Sequence, residues 1–123
     1  MNTTTTLGPL EVLMLDPAGP AISDPADTMD VLGAAFGHRA DVVVVPVERL
    51  SERFFDLRTR FAGEFVQKLV NYRIMLVVLG DIAPYVERSD ALAGFVYESN
   101  RGRHVWFLPD FDELVSRIRT VAG

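Results

Sequence analysis

The sequence predicts an α/β domain with a mixed, mostly parallel sheet of about five strands and four helices. Three observations predict it. The runs Asp41–Val47 (DVVVVPV) and Ile74–Leu79 are apolar without alternation, as strands covered on both faces are. Stretches with apolar residues at helical spacing fall between the strand-like runs. Gly and Pro punctuate the joints. The resulting order, β, β, α, β, α, β, α, β, α, calls for helices packed on a parallel sheet with right-handed crossovers.

Each element has its own warrant. Thr3–Leu7 is rich in strand-prone Thr and can pair with the next strand through a turn at Gly8. Leu10–Asp16 is the second strand, broken by Pro17, Gly19 and Pro20. Asp24-Pro25-Ala26-Asp27 opens a helix: Asp24 suits the N-cap, Pro25 the first helical position, and Asp27 the positive end of the dipole. Its apolar face is expected at Met29, Leu32, Ala35 and Phe36, with Gly37 closing it in a left-handed conformation. Asp41–Val47 is a central strand whose Pro46 marks its end or a bulge. Ser51–Phe55 is a connection with room for one helical turn. A long helix is then expected from about Asp56 to Tyr72, because Leu57, Phe61, Phe65 and Leu69 recur every fourth residue. Gly63 costs that helix ~1 kcal/mol against Ala, which a close approach of another element would offset.

Ile74–Leu79 is the next buried strand. A helix over Ser89–Asn100 follows, with Leu92, Phe95 and Val96 inward, and Gly102 turns the chain into a strand at His104–Leu108. Trp106 and Phe107 must point to opposite faces of that strand; one belongs to the core and the other is free for a partner. Asp110 and Glu113 resemble a capping box for the last helix, whose stripe is Phe111, Leu114, Val115, Ile118 and Val121.

Composition narrows the function classes. A chain of 123 residues predicts a single domain over residues 1–123, large enough to stand without metal or disulfide staples. It has no Cys, which removes disulfides, Cys-type zinc sites and thiol nucleophiles. Its apolar runs fall well short of the ~18 residues of a membrane span, and its start lacks the pattern of a signal peptide, so a cytoplasmic protein is expected. A net charge of −5 argues against nucleic acid, whose binding needs basic residues to neutralise phosphates. No membrane partner is expected either. His38 and His104 lack a metal-ligand spacing, and no phosphate loop, dinucleotide fingerprint or nucleophile elbow occurs, so neither metal nor cofactor is expected.

Three separated blocks carry a resemblance over most of the chain. FFDLRTRFAGEFVQKLVNYR, LVVLGD and FVYESNRGRHVWF are similar to domain-of-unknown-function family 4180, a family of short bacterial proteins reading FFDLRTG-LAGE, Q-KF-NYR, GD and ESNRG in the same order and spacing. Arg60 stands where that pattern carries Gly. The order and lengths of the elements also resemble the STAS domain of anti-sigma factor antagonists. There a helix following a strand and loop carries a Ser or Thr that a partner kinase phosphorylates. Thr59 falls nearest that position, although the Asp-Ser-Ser/Thr-Gly motif is missing.

The residues richest in chemistry cluster at the start of the long helix. Asp56, Arg58, Thr59 and Arg60 crowd a turn where a core helix has no packing need for them. Phe54 and Phe55 precede them as candidate apolar anchors, and Glu98, Asn100 and Arg101 form a second polar block. The resulting expectation is a STAS-like regulatory module that binds a protein — a kinase, a regulator or a second copy — through Phe54–Gly63. In that module Thr59 is a candidate phosphorylation switch flanked by Arg58 and Arg60. The alternative is a small enzyme or anionic-ligand-binding protein using Asp56, Arg58 and Arg60, with Glu98 or His104 as acid/base group. An enclosed pocket of a few hundred Å³ near Asp56, with convergent polar groups, would favour the enzyme, and a flat or convex apolar patch the partner.

Overall fold

A computed structural model describes residues 1–122 of the chain. Where the sequence is densest in β-branched residues the backbone is extended, giving β1 (Thr3–Leu7), β2 (Leu10–Met14), β3 (Val42–Pro46), β4 (Met75–Leu79) and β5 (Val105–Leu108). They form one five-stranded sheet in the order β1-β2-β3-β4-β5. β1 pairs antiparallel with β2, and the remaining pairs are parallel. The hairpin is tight: Leu7 pairs with Leu10, and Gly8 takes φ +59° at the first turn position, a backbone state glycine adopts without steric cost.

Among the described residues six α-helices accompany the sheet: α1 (Pro25–Gly37), α2 (Glu52–Phe55), α3 (Phe61–Asn71), α4 (Ala83–Val86), α5 (Asp90–Arg101) and α6 (Phe111–Ala122). Four of them are long, and α2 and α4 are single turns. The two sheet faces collect separate cores. Val43, Val45, Leu76, Val78 and Phe107 face α1, α3 and α5, whereas Val42, Val44, Val77 and Trp106 face Leu114 and Ile118 of α6. This is the α/β architecture expected from the element order.

Several local expectations are corrected. The buried face of α1 is Thr28, Val31, Leu32 and Ala35; Met29 and Phe36 are 53% and 52% exposed, one position around the helix from the core. Gly37 lies inside α1, and the left-handed residue is Arg39 at φ +52°. There Arg39 N–H donates to Phe36 O (3.1 Å) and Ala40 N–H to Ala35 O (2.9 Å), a Schellman closure. α3 ends the same way. Arg73 sits at φ +59°, with Arg73 N–H donating to Val70 O (2.9 Å) and Ile74 N–H to Leu69 O (2.9 Å). Trp106 and Phe107 do point to opposite faces, but both are buried because α6 covers the face that carries Trp106. Neither is free for a partner.

The long helix does not start at Asp56. A 3₁₀ turn at Leu57–Thr59 comes first, then Arg60 at φ +63°, and α3 begins only at Phe61. Gly63 therefore lies in the first turn of α3, and a methyl group added there meets nothing within 4 Å. No close approach offsets its cost. Gly63→Ala is expected to raise unfolding free energy by roughly 0.4–1 kcal/mol, chiefly by restricting the unfolded chain. Urea denaturation checks this, and a loss of stability would mean the glycine is conformationally required.

Candidate functional site

The stretch Ser51–Phe61 passes from α2 through the 3₁₀ turn to the start of α3 within eleven residues, and its side chains divide between interior and surface. Phe54 is fully buried and Phe55 is 5% exposed. Phe54 packs edge-on against Phe55, Phe61 and Phe65 at centroid distances of 5.3, 6.3 and 5.9 Å. The expected pair of surface anchors is thus corrected. A ring on α2 finds more apolar partners inward than outward, and burial of one Phe is worth about 1.5–3 kcal/mol.

The polar residues between the two helices remain outside. Asp56 caps the 3₁₀ turn by accepting from Arg58 N–H (3.1 Å). The Arg58 guanidinium folds back onto the same carboxylate, donating through Nε to Oδ1 and through a terminal nitrogen to Oδ2, each at 2.9 Å. This bidentate pair holds the Asp56 carboxyl below the usual carboxylate range. The Arg58 side chain is the larger cause and its backbone N–H the second, and Arg58 is raised in turn. Arg58 is 90% exposed in its side chain, so its remaining N–H groups face water.

Thr59 plays a local part. Its hydroxyl lies 2.8 Å from both Arg53 O and Asp56 O, sharing one proton between them, and accepts from Phe61 N–H at 3.2 Å. It ties α2, the 3₁₀ turn and the first turn of α3 together. Arg60 is exposed and holds the left-handed joint. A β-carbon at such a φ costs roughly 1–2 kcal/mol, which explains why Gly suits this position in the pattern the chain resembles.

Across from Asp56 stands a part of the chain that pattern reading missed. Asp81 Oδ1 accepts from Ala83 N–H (2.9 Å) and starts α4. Arg88 Nε donates to Pro84 O (2.8 Å), and the Ser89 hydroxyl caps α5 by accepting from Leu92 N–H (3.1 Å). Tyr85 of α4 lies flat on Phe55, with centroids 4.0 Å apart and planes 11° apart. Arg88 sits over the other part of this stack, 5.4 Å from the Tyr85 ring. Between these elements runs an open groove of about 470 Å³, bounded by Glu52, Asp56, Arg58, Tyr85, Arg88 and Ser89. The available signals for α4 were Asp81 two residues before Ala83 and Pro84 in a first-turn position.

The second polar block does not join this groove. Asn100 is on the last turn of α5, about 16 Å along the helix from Ser89 at ~1.5 Å per residue. Its amide instead serves β5: Phe107 N–H donates to Oδ1 at 2.7 Å, and Nδ2 donates to Phe107 O at 3.2 Å. Arg117 of α6 donates to the Asn100 carbonyl and lies 4.3 Å from the Trp106 ring centroid. Asn100 is therefore an edge clamp, a correction to its expected place in a binding site. Glu98 and Arg101 face water 3.8 Å from each other, and Arg101 covers Tyr97. His104 precedes β5, at the end of the sheet opposite the groove. Neither Glu98 nor His104 is placed to exchange a proton with a molecule held at Asp56.

Among the described residues no group of three or more His, Cys, Asp or Glu side chains is arranged to hold a metal ion, and no helix is long and apolar enough to cross a membrane. No curated protein and no solved structure matches the chain. One family model does, that described as "Domain of unknown function (DUF4180)", over residues 8–118. That span includes β2 through β5, the joint at Arg60, the groove and the Asn100 clamp. The chain belongs to the DUF4180 family.

Proposed function

We propose that this chain is a cytoplasmic regulatory module that binds another protein through the groove between Asp56 and Arg88. The observation that carries the reading is the groove's form. It is open, its floor is the Phe55–Tyr85 stack, and its rim carries Glu52, Asp56, Arg58 and Arg88. Aromatic and Arg side chains ringed by charge are the composition of interface centres. The exposed Asp56–Arg58 pair offers both an acceptor and spare donors to an incoming segment. The anchoring surface is thus Tyr85 with the edge of Phe55, in place of Phe54.

The order of elements, the antiparallel edge hairpin and the placement of α3 after β3 are similar to the STAS arrangement, which supports regulation as the purpose of binding. On that reading Thr59 is the switch. A phosphate there would have no proton to give the Arg53 and Asp56 carbonyls that the hydroxyl now holds and would have to release both. Modification would therefore loosen the joint that shapes one wall of the groove. A second reading, a small anionic ligand, draws on one observation: Arg58 and Arg88 line the same groove.

A photo-crosslinking amino acid at Ala91, exposed beside the groove, tests the proposal in intact cells. A discrete protein adduct is expected at Ala91, falling at least tenfold with Arg58→Glu while the melting temperature is unchanged. Thr59→Glu is expected to change its yield several-fold. Equal adducts from Ala91 and from Glu113 on α6 would remove the groove as the contact surface, and indifference to Thr59→Glu would remove the switch.

A further inference from the structure

A second cavity, of about 420 Å³, opens at the opposite end of the sheet, where β3, β4 and β5 begin. Its walls are apolar: Leu10 and Val42 from the sheet, Met75 and Trp106 beside them, and Ile118 and Val121 from α6. Its volume lies within the range of small-molecule sites. Its rim has a different character. Arg73, Arg103 and His104 stand there with one acid, Asp41. The Asp41 carboxylate already accepts from Glu11 N–H (2.8 Å). Neither Arg73 nor Arg103 has a carboxylate within 4.0 Å among the described residues, and neither side chain donates a hydrogen bond there. The helix–strand connection that presents Arg73 is fixed by its Schellman closure, and Arg103 precedes β5 by two residues. Two guanidinium groups with no carboxylate partner among the described residues thus flank a hydrophobic recess.

We propose that this recess binds a small carboxylate with an apolar body, free in solution, its body against Met75, Trp106 and Ile118 and its head group between Arg73 and Arg103. The charge complementarity selects the anion, because Arg matches a carboxylate bidentately. The apolar wall selects the body, since a polar head alone would leave Met75 and Val121, accessible parts of that wall, in contact with water. The site is independent of the Asp56 groove.

Trp106 is the chain's single Trp and lines the recess, so its fluorescence reports occupancy. Titration with decanoate is expected to give a saturable change with a dissociation constant below about 1 mM. Decylamine, with the same chain and the opposite charge, is expected to bind at least tenfold more weakly. Arg103→Glu, at an exposed position, is expected to weaken decanoate at least tenfold without changing the melting temperature. Val121→Phe, which fills the mouth from an exposed position, is expected to do the same. Absence of saturable binding, equal binding of decylamine, or indifference to both substitutions would overturn the site. Binding to phosphatidylglycerol vesicles in preference to decanoate would overturn a free ligand.

Discussion

Replacing Asn100 with alanine is expected to lower the unfolding free energy by about 2–4 kcal/mol, since a buried polar group left without a partner costs roughly 1–3 kcal/mol and two are exposed at once. β5 is the last strand of the sheet, and its outer side presents the N–H and C=O of Phe107 with no further strand to meet them. The Asn100 amide supplies both a donor and an acceptor at bonding distance, as the backbone of a sixth strand would. Phe107 is only 5% exposed, so water replaces the amide poorly. Asn100→Asp keeps the acceptor for the N–H but sets a carboxylate against the Phe107 carbonyl, and should recover only part of the loss. Guanidinium denaturation gives the energies. Amide exchange at Phe107, slow in the native chain and fast in the alanine variant, identifies the cause. A variant as stable as the native protein would mean that the edge needs no clamp.

Gly80→Ala is expected to cost about 2–5 kcal/mol, by strain at a sparsely populated backbone conformation together with overpacking. Gly80 ends β4 with φ +136°, and an added Cβ falls 2.8 Å from Val47 Cγ2 and 3.0 Å from Val47 Cβ. Its N–H donates to Leu108 O (3.0 Å) and closes the β4–β5 ladder, so the peptide cannot swing away freely. The double variant with Val47→Ala separates the two causes. It relieves the collision but leaves the dihedral strain, so partial recovery is expected in thermal unfolding. Full native stability of the single variant would show that the turn can repack at no cost.

The sheet was legible from sequence because a strand buried on both faces needs apolar, β-branched side chains at every position, and Val42–Val45 meets that need directly. Helix existence was legible too, but not the break at Arg60. Leu57, Phe61, Phe65 and Leu69 recur every fourth residue because each side chain seeks the interior. That spacing reports burial, and it persists across a joint where the helical hydrogen bonds stop. The residue that marks such a joint by its chemistry is glycine, and here arginine occupies it. The same applies to α1 and α3, whose left-handed ends fall on Arg39 and Arg73.

Half of the groove could be anticipated, since Asp56 and Arg58 are polar where a core helix would not need them. Tyr85 and Arg88 could not, because α4 is one turn long and carries no periodicity. The role of Asn100 was hidden for a different reason. It depends on a backbone seven residues later, with which the side chain has no pattern in common.

The sheet's spatial order follows the chain's own order without exception. Each strand after the first can therefore dock beside one that has already left the ribosome, and no earlier gap must be held open for a later segment. Assembly can proceed as simple accretion from the N-terminal hairpin outward. The growing edge stays adhesive until β5 arrives, and the residue that finally passivates it is synthesised just ahead of that strand.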